Sequence, residues 1–180
     1  MPNSFRKLKL RELNRVSLEA YKKDRKIPLI VLLDNIRSLH NIGAIFRTSD
    51  AFLVQEIWLI GITAQPPHRE IQKTALGATE SVSWSYFNNV EEVLQKIEEN
   101  NIRLICVEQS TNSRHPDEIQ IEANQTYALA LGNEVDGTSD EFMNHTEQVM
   151  EIPQFGTKHS LNVSIAAGIA IWELYKVLKG

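Results

Sequence analysis

The sequence predicts an α/β domain: a mostly parallel sheet with helices on both faces. Strand-length apolar runs alternate with segments of helical periodicity, and several of those runs are continuously apolar, as strands covered on both sides are. Polar segments bearing asparagine and glycine follow the strands, where ligands of such sheets usually sit. A length of 180 residues, 42% hydrophobic and 23% charged, suits one ordinary globular domain.

The first 26 residues hold nine basic side chains, from Arg6 to Lys26, against Glu12, Glu19 and Asp24; the rest of the chain holds ten basic and twenty acidic groups. A basic extension over residues 1–26 is therefore expected ahead of a domain over 27–180. Concentrated positive charge suits a polyanion, although a merely solvated basic helix has the same composition. Leu8, Leu13, Val16 and Ala20 are expected to form one stripe of that helix. Pro28 closes the extension, and Leu29–Leu33 reads as a strand buried on both faces.

Asn41–Phe52 follows as a helix, with Asn41 a candidate cap. Glu56–Gly61 and Val82–Phe87 read as strands, with Pro66-Pro67-His68 marking a loop between them. Val90, Val93, Leu94 and Ile97 have helical spacing among acidic residues, which predicts a surface helix over Val90–Glu99. Arg103–Val107, Thr126–Leu131 and Gln148–Ile152 complete the strands, with a short helix at Ser139–His145. Pro153 and Gly156 break the chain after the last strand, and Ser160 and Asn162 are both good caps for a final helix to Leu178.

Composition excludes several classes. One cysteine, Cys106 in an apolar run, leaves no disulfide framework and no Cys-based zinc site, and the histidines suggest no metal. No run approaches the roughly 18 apolar residues of a membrane helix, and no apolar leader is present, so a soluble cytoplasmic protein without membrane or metal partners is expected. The eight glycines never stand two apart, which removes the Gly-x-Gly-x-x-Gly dinucleotide fingerprint. No Gly-x-Ser-x-Gly elbow supports a hydrolase at Ser160 and adjacent His159.

Three polar segments remain. Asp34 to Thr48 carries Asn41, Gly43 and Arg47; Arg47 stands among apolar neighbours and reads either as an intramolecular ion pair or as a phosphate or ribose contact. Leu131–Gly137 is a glycine-bracketed loop whose Glu134 is either surface decoration or an anchor for an arginine or ligand. Ile152–Ala166 offers a hydroxyl and a carboxamide at a helix start, as caps or as a binding edge.

In order and spacing, Asn35…Asn41-x-Gly43…Arg47, Gly132-x-Glu134-x-x-Gly137 and Ile152-Pro153…Ser160-Leu161-Asn162-Val163-Ser164 resemble the three motifs of the SpoU (TrmH) branch of the SPOUT RNA methyltransferases. Ile71–Ala78 looks like that family's segment between motifs. The resemblance spans Leu29–Leu178; Gln154 departs from it, methionine being common after the Ile-Pro pair.

The resemblance implies a C-terminal trefoil knot and S-adenosylmethionine as cofactor, cupped by backbone near Val107, Gly132, Ile152 and Leu161. It implies a homodimer and transfer of methyl to a ribose 2'-hydroxyl of RNA, with tRNA favoured and rRNA open. A methyl-inactive RNA-binding or assembly factor is the alternative. Arg47 takes the catalytic position and would hold the 3'-phosphate and developing alkoxide. Asn41 would orient Arg47 or the ribose, Glu134 would pair with Arg47 across the site or dimer, and Ser160 and Asn162 would position the ribose or the catalytic loop.

Overall fold

The computed structural model describes residues 5–9, 12–13 and 16–180. Within them six parallel strands form one sheet: β1 (Ile27–Asp34), β2 (Val54–Ile60), β3 (Ser83–Phe87), β4 (Arg103–Val107), β5 (Tyr127–Leu131) and β6 (Gln148–Met150). Their order is β3-β2-β1-β5-β4-β6, and every pairing is parallel. The central strands are buried on both faces, as their unbroken apolar runs require.

Alternation along each strand divides the core. Leu29, Val31, Leu33, Leu129 and Leu131 face one layer, formed by α2 (Leu39–Ala51), α3 (Arg69–Ala75), α4 (Ala78–Ser81) and α7 (Val163–Leu178). Ile30, Leu32, Ala128 and Ala130 face the other, formed by α5 (Val90–Glu99) and α6 (Asp140–His145). In α7 the buried residues Val163, Ala167, Ala170, Ile171 and Leu174 follow helical spacing, so one stripe packs on α2 and β1.

The expected basic helix is shorter than its charge pattern suggests. Among the described residues of the extension the one α-helix is α1 (Leu18–Lys23), capped by Ser17, and Tyr21 is its one buried side chain. Leu8, Leu13 and Val16 are exposed and form no packed stripe; Arg11 and Arg15 lie outside the described residues. Tyr21 joins the main core, and the Lys26 ammonium sits 3.4 Å above its ring.

Two short helices, α3 and α4, fill the stretch after Pro67, where the sequence reading assigned only a loop and an intermotif segment. Left-handed Leu76 and Gly77 divide it, leaving each piece too short for a clear periodic signal. The cap of α2 is Ser38, whose hydroxyl accepts the Asn41 amide; Asn41 lies within the first turn. That frees the Asn41 side chain for a longer-range role.

Cys106 lies wholly inside the sheet, and burial pushes its thiol up to about 12. The folded thiol therefore keeps its proton where an unfolded one, with pKa about 8.5, loses it. The corresponding contribution to stability is complete below that unfolded value and fades as pH rises toward 12. Native protein at mildly alkaline pH is expected to resist iodoacetamide and to react once unfolded in urea; native labelling at the rate of a free thiol would contradict this burial.

Candidate active site

The strands end in a row. Val107 pairs with Leu131 on one side and Met150 on the other, so the residues that follow β4, β5 and β6 emerge together at one edge. A cavity of about 510 Å³ opens there, within the range of small-molecule sites. Its walls include Val107, Gly132, Ile152 and Leu161, the four residues expected to cup a cofactor, together with Glu134, Ser160 and Asn162.

The β5 end of the wall is built by close backbone approach. A Cβ on Gly132 would stand 1.9 Å from the Gly137 carbonyl carbon and 2.0 Å from the Thr138 nitrogen, so only glycine lets the loop fold back on itself. Asn133 secures the turn by accepting the amides of Val135 and Asp136, each at 2.9 Å. Glu108, the first residue beyond β4, accepts the Thr138 amide at 3.1 Å and the Gln109 amide at 2.9 Å, tying the two loops together.

Three residues from the three motif segments join into one hydrogen-bonded chain. Asn41 donates from Nδ2 to Glu134 Oε1 at 2.6 Å, and Asn162 donates from Nδ2 to Asn41 Oδ1 at 3.1 Å. Asn162 Oδ1 in turn accepts the Ser164 amide at 2.9 Å and its hydroxyl at 2.6 Å, making Asn162 the true cap of α7. Ser160 makes no cap; it lies exposed on the cavity wall. Each carboxamide thus has its orientation fixed at both ends, its nitrogen donating and its oxygen accepting.

Arg47 is placed differently. It is exposed on α2 with no ion pair among the described residues, and it does not line the cavity of its own chain. Of its two readings, the intramolecular ion pair finds no partner among the described residues: the apolar neighbours Ile45 and Phe46 turn inward while Arg47 is exposed. Within one chain Glu134 pairs with Asn41 and not with Arg47. Six residues separate Arg47 from Asn41, about 9 Å along the helix axis.

Charge is partitioned around the cavity. Glu108, Glu134, Asp136 and Glu151 line it, and no lysine or arginine does among the described residues. Cations stand outside: Arg37 beside Asp136, and Lys73 beside Glu70, whose carboxyl Lys73 and then a hydrogen bond from the His40 ring hold below the usual range. Glu108 and Glu151 escaped the sequence reading. Their signal was positional, each being the first residue after a predicted or observed strand end.

Replacing Asn41 by alanine is expected to leave Glu134 and Asn162 without their shared partner. Any activity of this site should fall by about a hundredfold, with a thermal midpoint only slightly lower because the site is solvent-accessible. Wild-type turnover in Asn41→Ala would refute the linking role of the carboxamide.

The fold and the cavity define a parallel α/β domain with a ligand crevice beyond the carboxyl ends of its strands. Residues 28–172 match the SpoU rRNA Methylase family model, and the chain belongs to that family. It is 32% identical over 146 residues to the 23S rRNA (guanosine-2'-O-)-methyltransferase RlmB of Neisseria meningitidis serogroup B, covering 81% of this chain and 57% of the relative. The A. aeolicus TrmH/SpoU tRNA modifying enzyme superposes with a TM-score of 0.76 at 26% identity, covering 88% of this chain and 81% of that one. An AdoMet-bound rRNA methyltransferase from Sinorhizobium meliloti gives 0.79 at 26% identity, covering 88% and 60%. The chain thus spans under two thirds of the Neisseria and Sinorhizobium proteins.

Proposed function

We propose that this chain transfers a methyl group from S-adenosylmethionine to a ribose 2'-hydroxyl of RNA. The observation that carries the reading is the Glu134–Asn41–Asn162 chain, which binds the three motif segments at the mouth of one cavity. The cavity fits the cofactor chemically: backbone from Val107, Gly132, Ile152 and Leu161 offers hydrogen-bonding groups to an adenosine, and the carboxylate lining suits a cation. When bound, S-adenosylmethionine supplies a methyl made electrophilic by its sulfonium.

The residues of the chain then have mainly to place an oxygen and handle its charge. Asn162 and Ser160 orient the ribose, Asn41 keeps Asn162 turned toward it, and Glu134 fixes Asn41. Arg47 binds the adjoining phosphate and stabilises the alkoxide as it develops. A guanidinium stays protonated at physiological pH, so we assign Arg47 no role as a base.

Because Arg47 lies off its own cavity, the reading includes a homodimer in which it serves the partner's cavity. Exposed apolar side chains Ile165, Trp172 and Val177 on α7 supply surface for such a contact. A threaded C-terminus also belongs to the reading. It is supported by the contacts of residues 149–159 with the 108–126 connection: the Arg114 amide donates to Val149 O, the Glu151 amide to Arg114 O, and Gln109 Nε2 to His159 O.

Ribosomal RNA is the first substrate reading, following the curated relatives; transfer RNA is the second, favoured by the A. aeolicus likeness, which covers most of both chains. Mass-spectrometric mapping of ribose methylation in both RNAs, from cells with and without the protein, decides between them. Binding of S-adenosylmethionine without transfer to any RNA would instead identify a methyl-inactive factor. We assign the basic extension to phosphate contacts. Exchanging Arg6, Lys7 and Lys9 for serine should weaken RNA binding and flatten its salt dependence by about three phosphate contacts, while an unchanged slope would remove the extension from the interface.

A further inference from the structure

We infer that Phe155 is a stacking platform for an unpaired base of the RNA, beside the ribose that receives the methyl group. The inference rests on the methyltransferase reading and adds a base contact to it. Phe155 is 97% exposed, the most exposed large apolar side chain among the described residues. In the chain it lies between Gln154 and Ser160, both on the cavity wall, so its loop borders the site.

Three features single out this rim. Gly156, next in the chain, is itself exposed and adds no side chain beside the ring. The loop is tied to the body by Gln109, whose Nε2 donates to His159 O at 2.7 Å. Lys158 is the only lysine or arginine between Glu147 and Lys176, and it projects from the same loop beside a cavity lined by carboxylates. An aromatic ring with an adjacent cation is the pairing that single-stranded nucleic acid uses, the ring taking a base and the cation its phosphate. A base attached to a ribose at Ser160 and Asn162 has to lie within a few residues' reach of those side chains, and Phe155 supplies an exposed π-face there.

The test compares the affinity of wild type, Phe155→Ala and Phe155→Trp for a uridylate oligomer and for an abasic ribose-phosphate oligomer of equal length. S-adenosylmethionine affinity is measured calorimetrically for each. Stacking predicts that wild type prefers the base-bearing oligomer, that Phe155→Ala loses that preference by about tenfold, and that Phe155→Trp keeps it. Cofactor affinity should be equal in all three, which also shows that the variants fold. An equal preference in Phe155→Ala, or none in wild type, overturns the inference. So does a weakened homodimer with base preference intact, which would give the ring to a second copy of the chain. If wild type fails to bind S-adenosylmethionine, the methyltransferase reading falls, and the oligomer comparison still reports on Phe155.

Discussion

Replacing Arg47 with alanine is expected to lower methyl transfer by roughly 10²–10³-fold while S-adenosylmethionine affinity stays at the wild-type level. Among the described residues the guanidinium has no ion pair to lose, and it does not line its own chain's cavity, so its removal disturbs neither folding nor the cofactor site. What it removes is a charge available to a phosphate and an alkoxide. Arg47→Lys separates charge from geometry: if the planar fork matters, lysine recovers only a small part of the activity. Full activity in Arg47→Lys with an unshifted pH–rate profile would eliminate the need for a fork, and full activity in Arg47→Ala would remove the residue from the chemistry.

Gly132→Ala should have the second large effect, and it acts through the backbone. The added methyl would meet the Gly137 carbonyl and the Thr138 amide at about 2 Å, and neither can rotate away as a side chain would. The loop must shift, at a cost of about 1–3 kcal/mol in stability. The Glu108–Thr138 hydrogen bond and the turn that presents Glu134 to Asn41 move with it. Cofactor affinity and turnover should therefore fall together, with a lower midpoint on thermal denaturation. Wild-type affinity in a folded Gly132→Ala would show that the loop is less tightly packed than these distances imply.

Much of the fold was legible in the sequence because burial writes itself into composition. β1 and β5 are covered on both faces, so their residues are apolar without interruption, and the run alone identifies them. α7 carries its buried stripe at helical spacing and begins at Asn162 as the cap chemistry indicates. α3 and α4 were hidden because four to seven residues hold too few turns to display a period. The basic extension misled for a different reason: four spaced apolar residues among charges imitate a stripe without packing, and among the described residues there the buried one is Tyr21.

By itself the sequence determined the layered α/β class and the edge of the sheet where the polar segments gather. These follow from local chemistry, namely apolar runs, glycine-permitted turns and capping side chains. Tertiary structure decided the partners. It gave Glu134 to Asn41, left Arg47 exposed on α2, and brought Glu108 and Glu151 to a cavity with no motif of their own. Asn41 and Glu134 are 93 residues apart, and Asn41 and Asn162 are 121. Contacts of that separation depend on strand order and register, which no local pattern encodes.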